Sequence, residues 1–153
     1  MSGCGSAGTW ERLRAFLKRF AAYGVLGWCG EIVWTALRGK LTGRQPGWEL
    51  HGTTSLWMFP IYGLIAPLYE PAHDALRQCP LLARGLAYTT GFFAVEYCSG
   101  WLLRRVVGVA PWDYSGETPW HVHGLIRLDY APVWFVVGLA LEPVHDRLMT
   151  KKT

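Results

Sequence analysis

Residues 51–76 read HGTTSLWMFPIYGLIAPLYEPAHDAL, and residues 123–148 read HGLIRLDYAPVWFVVGLALEPVHDRL. Laid over one another without gaps, they match His51 with His123, Gly52 with Gly124, Leu56 with Leu128 and Pro60 with Pro132. They then share the motif Glu-Pro-x-His-Asp-x-Leu, at 70–76 and again at 142–148. An ungapped match of this kind reads as a duplicated unit. Each copy closes an apolar run, and each run follows another, at about 20–37 and about 85–103. The repeating unit is therefore expected to be a helical hairpin. Two spans per unit preserve orientation, so the halves are expected to be related by an axis along a membrane normal.

The four apolar runs lie at about 20–37, 55–72, 85–103 and 130–146. Each is near the roughly 20 residues that a membrane helix needs. A soluble four-helix bundle would carry polar stripes along every helix, whereas these runs carry few charges. Charged residues make up 17% of the chain, below the roughly 25% of soluble domains. Nine Trp and seven Tyr suit a membrane interface, because each ring has an apolar body and a polar edge. The expected fold class is all-α integral membrane, with four transmembrane helices as two similar helical hairpins. The hairpins fall at about 20–76 and 85–148, within a membrane domain of 20–148. A cytoplasmic N-terminal segment, 1–19, precedes it and a tail, 149–153, follows.

The formal charge is +4. Lys and Arg sit at the borders of the apolar runs and form no single stripe, which points to a lipid bilayer as partner and away from nucleic acid. Arg12, Arg14, Lys18, Arg19, Arg77, Arg84, Arg147, Lys151 and Lys152 fall on one side of a four-span topology. Arg38, Lys40, Arg44, Arg104, Arg105 and Arg127 fall on the other. The excess places both termini in the cytoplasm; no feature names the organelle. Gly24, Gly27 and Gly30 follow a small-residue spacing that lets helices approach closely, which suits a homo-oligomer or other membrane subunits. The cysteines at 4, 29, 79 and 98 have no zinc-site spacing.

Every run carries one glutamate: Glu31, Glu70, Glu96 and Glu142. A carboxylate in hydrocarbon is costly, about 2.5–3.5 kcal/mol for Asp at the centre on translocon scales. Four of them predict a shared intramembrane acidic cluster. Glu70 and His73 are three residues apart, as are Glu142 and His145, and that spacing puts both side chains on one helix face. Two Glu-x-x-His pairs plus two single glutamates make the ligand set of di-iron carboxylate bundles. A di-metal site of iron or manganese from Glu31, Glu70, His73, Glu96, Glu142 and His145 is thus one alternative. Glu31 and Glu96 fall near mid-span and the other two nearer the ends, an axial offset of about 8–10 Å. The structural alternative is a helix-exit motif, in which Pro breaks the ladder and His and Asp meet water. In the connection 110–124, Asp113, Glu117, His121 and His123 form a second, unspecific set of metal-ligand types. Arg38, Arg104 and Arg105 are candidates for lipid headgroups or for snorkelling anchors.

CPLLARGLAYTTGFFAVEYCSGWLLRR (79–105), APWDYS (110–115) and HGLIRLDYAPVWF (123–135) resemble the transmembrane protein 229 family, and SLWMFPIYG (55–63) fits it as well. That group falls within a broader membrane family whose bacterial members carry the label putative ABC-transporter type IV. The resemblance implies a small multi-pass membrane protein with four spans and no established activity. The glutamates at 31, 70, 96 and 142 fit its pattern; the histidines at 73 and 145 are not required by it. The leading expectation is proton- or cation-linked transport or sensing at the glutamate cluster, with no catalytic residue and no cofactor. A membrane-bound di-metal oxidoreductase acting on lipid and a structural scaffold subunit are the alternatives.

Overall fold

The computed structural model describes residues 4–150 and the side chains of 8–150; Lys151, Lys152 and the Cys4 side chain lie outside the described residues. The chain divides into two compact units, Met1–Pro67 and Leu68–Thr153. The first is built on α1 (Cys4–Leu41), 38 residues and hence about 57 Å long. Arg38 and Lys40 lie in its last turn, where cations favour the negative end of the helix dipole. Helix α2 (Met58–Gly63) packs back against it. The approach is close because α1 presents glycine there: a Cβ at Gly24 would meet Phe59, and one at Gly27 would meet the Tyr62 ring. A Cβ at Gly30 would meet open space. The connection between the helices is pinned to α1 by polar clips. Trp28 Nε1 donates to the Ser55 carbonyl at 2.8 Å, and the Thr53 N–H donates to Thr35 Oγ1 at 2.9 Å.

Beyond α2 the backbone widens into a π-helical turn, Ile65–Tyr69, and tightens again as α3 (Glu70–Leu76). Proline permits the change. Pro71 has no N–H for the carbonyl four residues back, and it sits in the first turn of α3, where that loss is harmless. Helix α4 (Leu81–Val106) and helix α5 (Ala131–Thr150) pack together in the second unit. Their contact is also made by glycine: a Cβ at Gly85 would meet the Phe135 ring, and one at Gly138 would meet Tyr88. Pro143 lies inside α5, which continues through it. The two copies of the motif thus differ, one opening a helix after a π turn and the other embedded in a continuous helix.

Between α4 and α5 the chain forms a two-stranded hairpin, β1 (His121–Val122) and β2 (Ile126–Arg127), with His121 opposite Arg127. Among the described residues, the otherwise helical protein therefore has one small antiparallel element that apolar periodicity does not announce. Its turn needs left-handed backbone at His123 (φ 53°) and Gly124 (φ 69°). Gly124 also lies against Asp113 and Ser115, where a Cβ would collide. A single 3₁₀ turn, Leu128–Tyr130, leads into α5.

Among the described residues, one helical stretch, Gly8–Leu41, is long and apolar enough to cross a membrane. Helix α4 is long enough, but Gly, Thr, Ser, Tyr and Glu96 dilute its apolar character. Ionisable side chains share the interior with apolar ones such as Tyr23, Tyr69, Leu103 and Leu125, and many large apolar side chains are exposed. Glu70, His73, Thr89, Arg127 and His145 are buried, while Val25, Leu26, Val33, Leu86, Leu102 and Val136 are exposed.

Candidate functional site

The two Glu-Pro-x-His-Asp motifs meet in the second unit, one on α3 and one on α5. The spacing of Glu, His and Asp at i, i+3 and i+4 puts all three side chains on one face. The faces oppose one another and cross. His73 Nδ1 lies 3.7 Å from Glu142 Oε1, and its Nε2 lies 3.6 Å from Asp146 Oδ1. His145 Nδ1 lies 3.6 Å from Glu70 Oε1, and its Nε2 lies 3.6 Å from Asp74 Oδ1. Each histidine is therefore flanked by the glutamate and the aspartate of the other motif. The imidazole rings touch edge to face, with centroids 5.1 Å apart.

The cluster is layered. At the exposed end, Arg77 spans both aspartates, donating from Nε to Asp74 at 3.1 Å and from Nη2 to Asp146 at 2.6 Å. Its hydrogen bond to Asp146, then that to Asp74, raises the Arg77 pKa from an already high value. Below them lie His73 and His145, 4% and 1% exposed. The expectation that the histidines meet water is corrected here: only the aspartates do, because α3 and α5 close over the rings.

Glu70 and Glu142 are on the inner side. Arg84 of α4 grips Glu142 with two hydrogen bonds, Nε to Oε1 at 2.8 Å and Nη2 to Oε2 at 3.1 Å. Tyr88, one turn further, donates its hydroxyl to Glu142 Oε1 at 3.0 Å. That uses its one proton, so the Tyr88 oxygen accepts from His73 Nδ1, also at 3.0 Å. The His73 proton is thereby assigned to Nδ1, and Nε2 has no hydrogen-bond partner. Neither ring nitrogen of His145 has one either, because 3.6 Å is too long for a hydrogen bond. Tyr69 braces the group by donating to the Gly138 carbonyl at 2.6 Å.

Of the residues the sequence points to, Glu70, His73, Glu142 and His145 come together here. Glu96 does not join them. It lies eight residues beyond Tyr88 on α4, about 12 Å along the axis, and accepts a hydrogen bond from Tyr114 at 2.9 Å. Glu31 belongs to the first unit, where it accepts from Thr54 Oγ1 at 2.6 Å. The candidate ligands of the 110–124 connection have separate partners. Asp113 accepts from the Ser115 hydroxyl and N–H, which in that order hold it below the usual carboxylate range. Glu117 and Asp129 flank Arg127, whose guanidinium stacks on Tyr130 at 4.1 Å. His121 accepts from the Gly124 N–H, and His123 pairs with Tyr97. Of the lipid candidates, Arg104 donates to the His123 carbonyl at 2.6 Å and Arg105 lies over Trp101.

Arg84, Tyr88, Arg77, Asp74 and Asp146 are participants that the glutamate pattern does not pick out. The aspartates were legible in principle, since both repeats carry them in the same place. A family model described as Putative ABC-transporter type IV matches residues 19–153. No solved structure matches the chain.

Proposed function

The chain belongs to the Putative ABC-transporter type IV family, and we propose from that premise that it is a four-span membrane protein linking a proton or cation to transport or sensing. Both termini lie in the cytoplasm, and the chain sits in the transmembrane protein 229 branch. The observation that carries the reading is the crossed pair of motifs. Two buried histidines, each flanked by two carboxylates, stand beneath a partly exposed Arg77 and above a clamped Glu142. Ionisable groups are costly in an apolar surround and mark ion pathways. Structural helix contacts in lipid are made by small residues and by interhelical hydrogen bonds; Gly85 and Gly138 supply the first, whereas the facing His–carboxylate pairs of the two motifs, at 3.6–3.7 Å, are too long to be the second. The family description is in keeping with transport; the iron or manganese oxidoreductase would need Glu31 and Glu96 beside the same cluster.

Reconstitution in liposomes tests this. Wild-type protein should dissipate an imposed proton or cation gradient, read by an internal pH dye and a cation indicator. Glu70→Gln with Glu142→Gln should remove that flux while helical content is retained. Wild-type vesicles as tight as empty ones, to protons and to monovalent and divalent cations, would sink the transport reading.

A further inference from the structure

Two pairs of atoms at the exposed end of the cluster share one separation. His73 Nε2 to Asp146 Oδ1 and His145 Nε2 to Asp74 Oδ1 are both 3.6 Å. This is too long for a hydrogen bond. It is close to the spacing of two ligands on one tetrahedral ion: with metal bonds of about 2.0–2.2 Å, neighbouring donors stand about 3.4 Å apart. One ligand atom from each of His73, Asp74 and His145 lies within 4.8 Å of the others. Closing the widest of these gaps needs movement of under an ångström or so at each ligand, and Asp74, about half exposed, has room for it.

The rest of the cluster prepares the two rings. A ligating histidine donates its other ring N–H to a carboxylate, carbonyl or similar partner, which fixes the tautomer. His73 does so through Nδ1 to Tyr88, which is held in turn by Glu142. His145 places Nδ1 toward Glu70. Both Nε2 atoms are buried and without a hydrogen bond, an arrangement that is unfavourable unless something fills it.

We propose that His73 Nε2, His145 Nε2, Asp74 and Asp146 seat one zinc-class divalent cation, with Glu70 and Glu142 as outer partners and Arg77 as a tethered cation that the ion displaces. Two imidazoles and two carboxylates suit a borderline ion such as zinc better than calcium or magnesium, which take oxygen ligands. Two aspartates share one guanidinium at present; a divalent ion neutralises both and frees Arg77, which is already partly exposed. This assignment rests on the cation-linked reading above, deepens it by naming the ion class, and differs from the di-metal set in using the aspartates as ligands.

The test is zinc binding by the purified, detergent-solubilised full chain, read by calorimetry and metal analysis. Cobalt absorption reports the geometry. One equivalent of zinc is expected, with tetrahedral cobalt bands. Asp74→Asn with Asp146→Asn alters side chains that are about half exposed, and its helical content is checked by circular dichroism. It should weaken binding by more than the about 10–100-fold that loss of an outer partner causes. Arg77→Gln should tighten it, and His123→Ala should leave it unchanged. Folded wild type and Arg77→Gln that both fail to take up zinc overturn the site, as does binding that survives the double aspartate change. Zinc uptake without flux in liposomes would leave the site standing and remove the transport reading. Flux without zinc uptake would do the opposite.

Discussion

Arg84 and Glu142 form a two-point grip between side chains that are 20% and 16% exposed. A carboxylate so placed depends on its partner. Arg84→Met should destabilise the protein by about 1–3 kcal/mol, less than stranding one member of a fully buried pair, because both side chains are part-exposed and Glu142 keeps the Tyr88 hydrogen bond. Glu142→Gln added to it should recover part of that loss, since a neutral amide needs no counter-charge. Thermal unfolding in detergent reads both. Equal stability of the two variants would mean that Arg84 acts through its packing and not its charge. The Glu-x-x-His-Asp spacing was legible because it is local, fixed by helix periodicity. Arg84 was not, because it lies 58 residues from Glu142 in the chain, and no short-range pattern couples them.

Helices in this protein meet where one of them is glycine, and the positions are not equivalent. Gly138 lies against Tyr88, while Gly30 faces open space. Gly138→Leu should therefore cost about 1–3 kcal/mol or more through overpacking. Gly30→Leu should be neutral or slightly stabilising, since glycine is a poor helix former. Melting temperatures in detergent separate them, and a matching loss at Gly30 would point to a contact with another copy. The β1–β2 hairpin depends on polar clips. Asp113, depressed below the ordinary aspartate value of about 3.9 by Ser115, contributes stability that is complete above that value. The contribution is lost as pH falls through the lower folded value. Trp112, which donates to the Leu125 carbonyl at 2.9 Å in the same connection, should report this by a fluorescence change below pH about 4. Asp113→Asn should flatten it; an unaltered transition in that variant would assign the change to another group.

For the whole molecule, the four-span topology proposed above, with its excess of Lys and Arg on one side, predicts both termini on the cytoplasmic side. Tags at either end should be reachable only from that side in oriented vesicles or selectively permeabilised cells. Protection of one tag and not the other would mean an odd number of spans, and the paired-hairpin reading would fail with it.

The sequence by itself determined that the protein is mainly helical and that it carries two copies of one ionisable motif, though not that the run at 55–72 breaks into α2, a π turn and α3 or that one motif opens a helix while the other is embedded in one. Hydropathy runs and i, i+3, i+4 spacing are local properties, and local properties are written in the chain. The helical family membership follows from the same stretches. Only the tertiary structure decided that the two motifs cross. It set each histidine between the acids of the opposite copy, buried the rings and left the aspartates outside, and recruited Arg77, Arg84 and Tyr88 from a neighbouring turn and a neighbouring helix. It also sent Glu96 to Tyr114 and Glu31 to Thr54. The reason is the packing of α4 on α5 through Gly85 and Gly138, with α3 joined to both by His73, which bonds Tyr88 and touches His145. How closely helices approach, and at what rotation, sets which side chains come within 4 Å of each other, and that is a sum over many contacts that no single motif encodes.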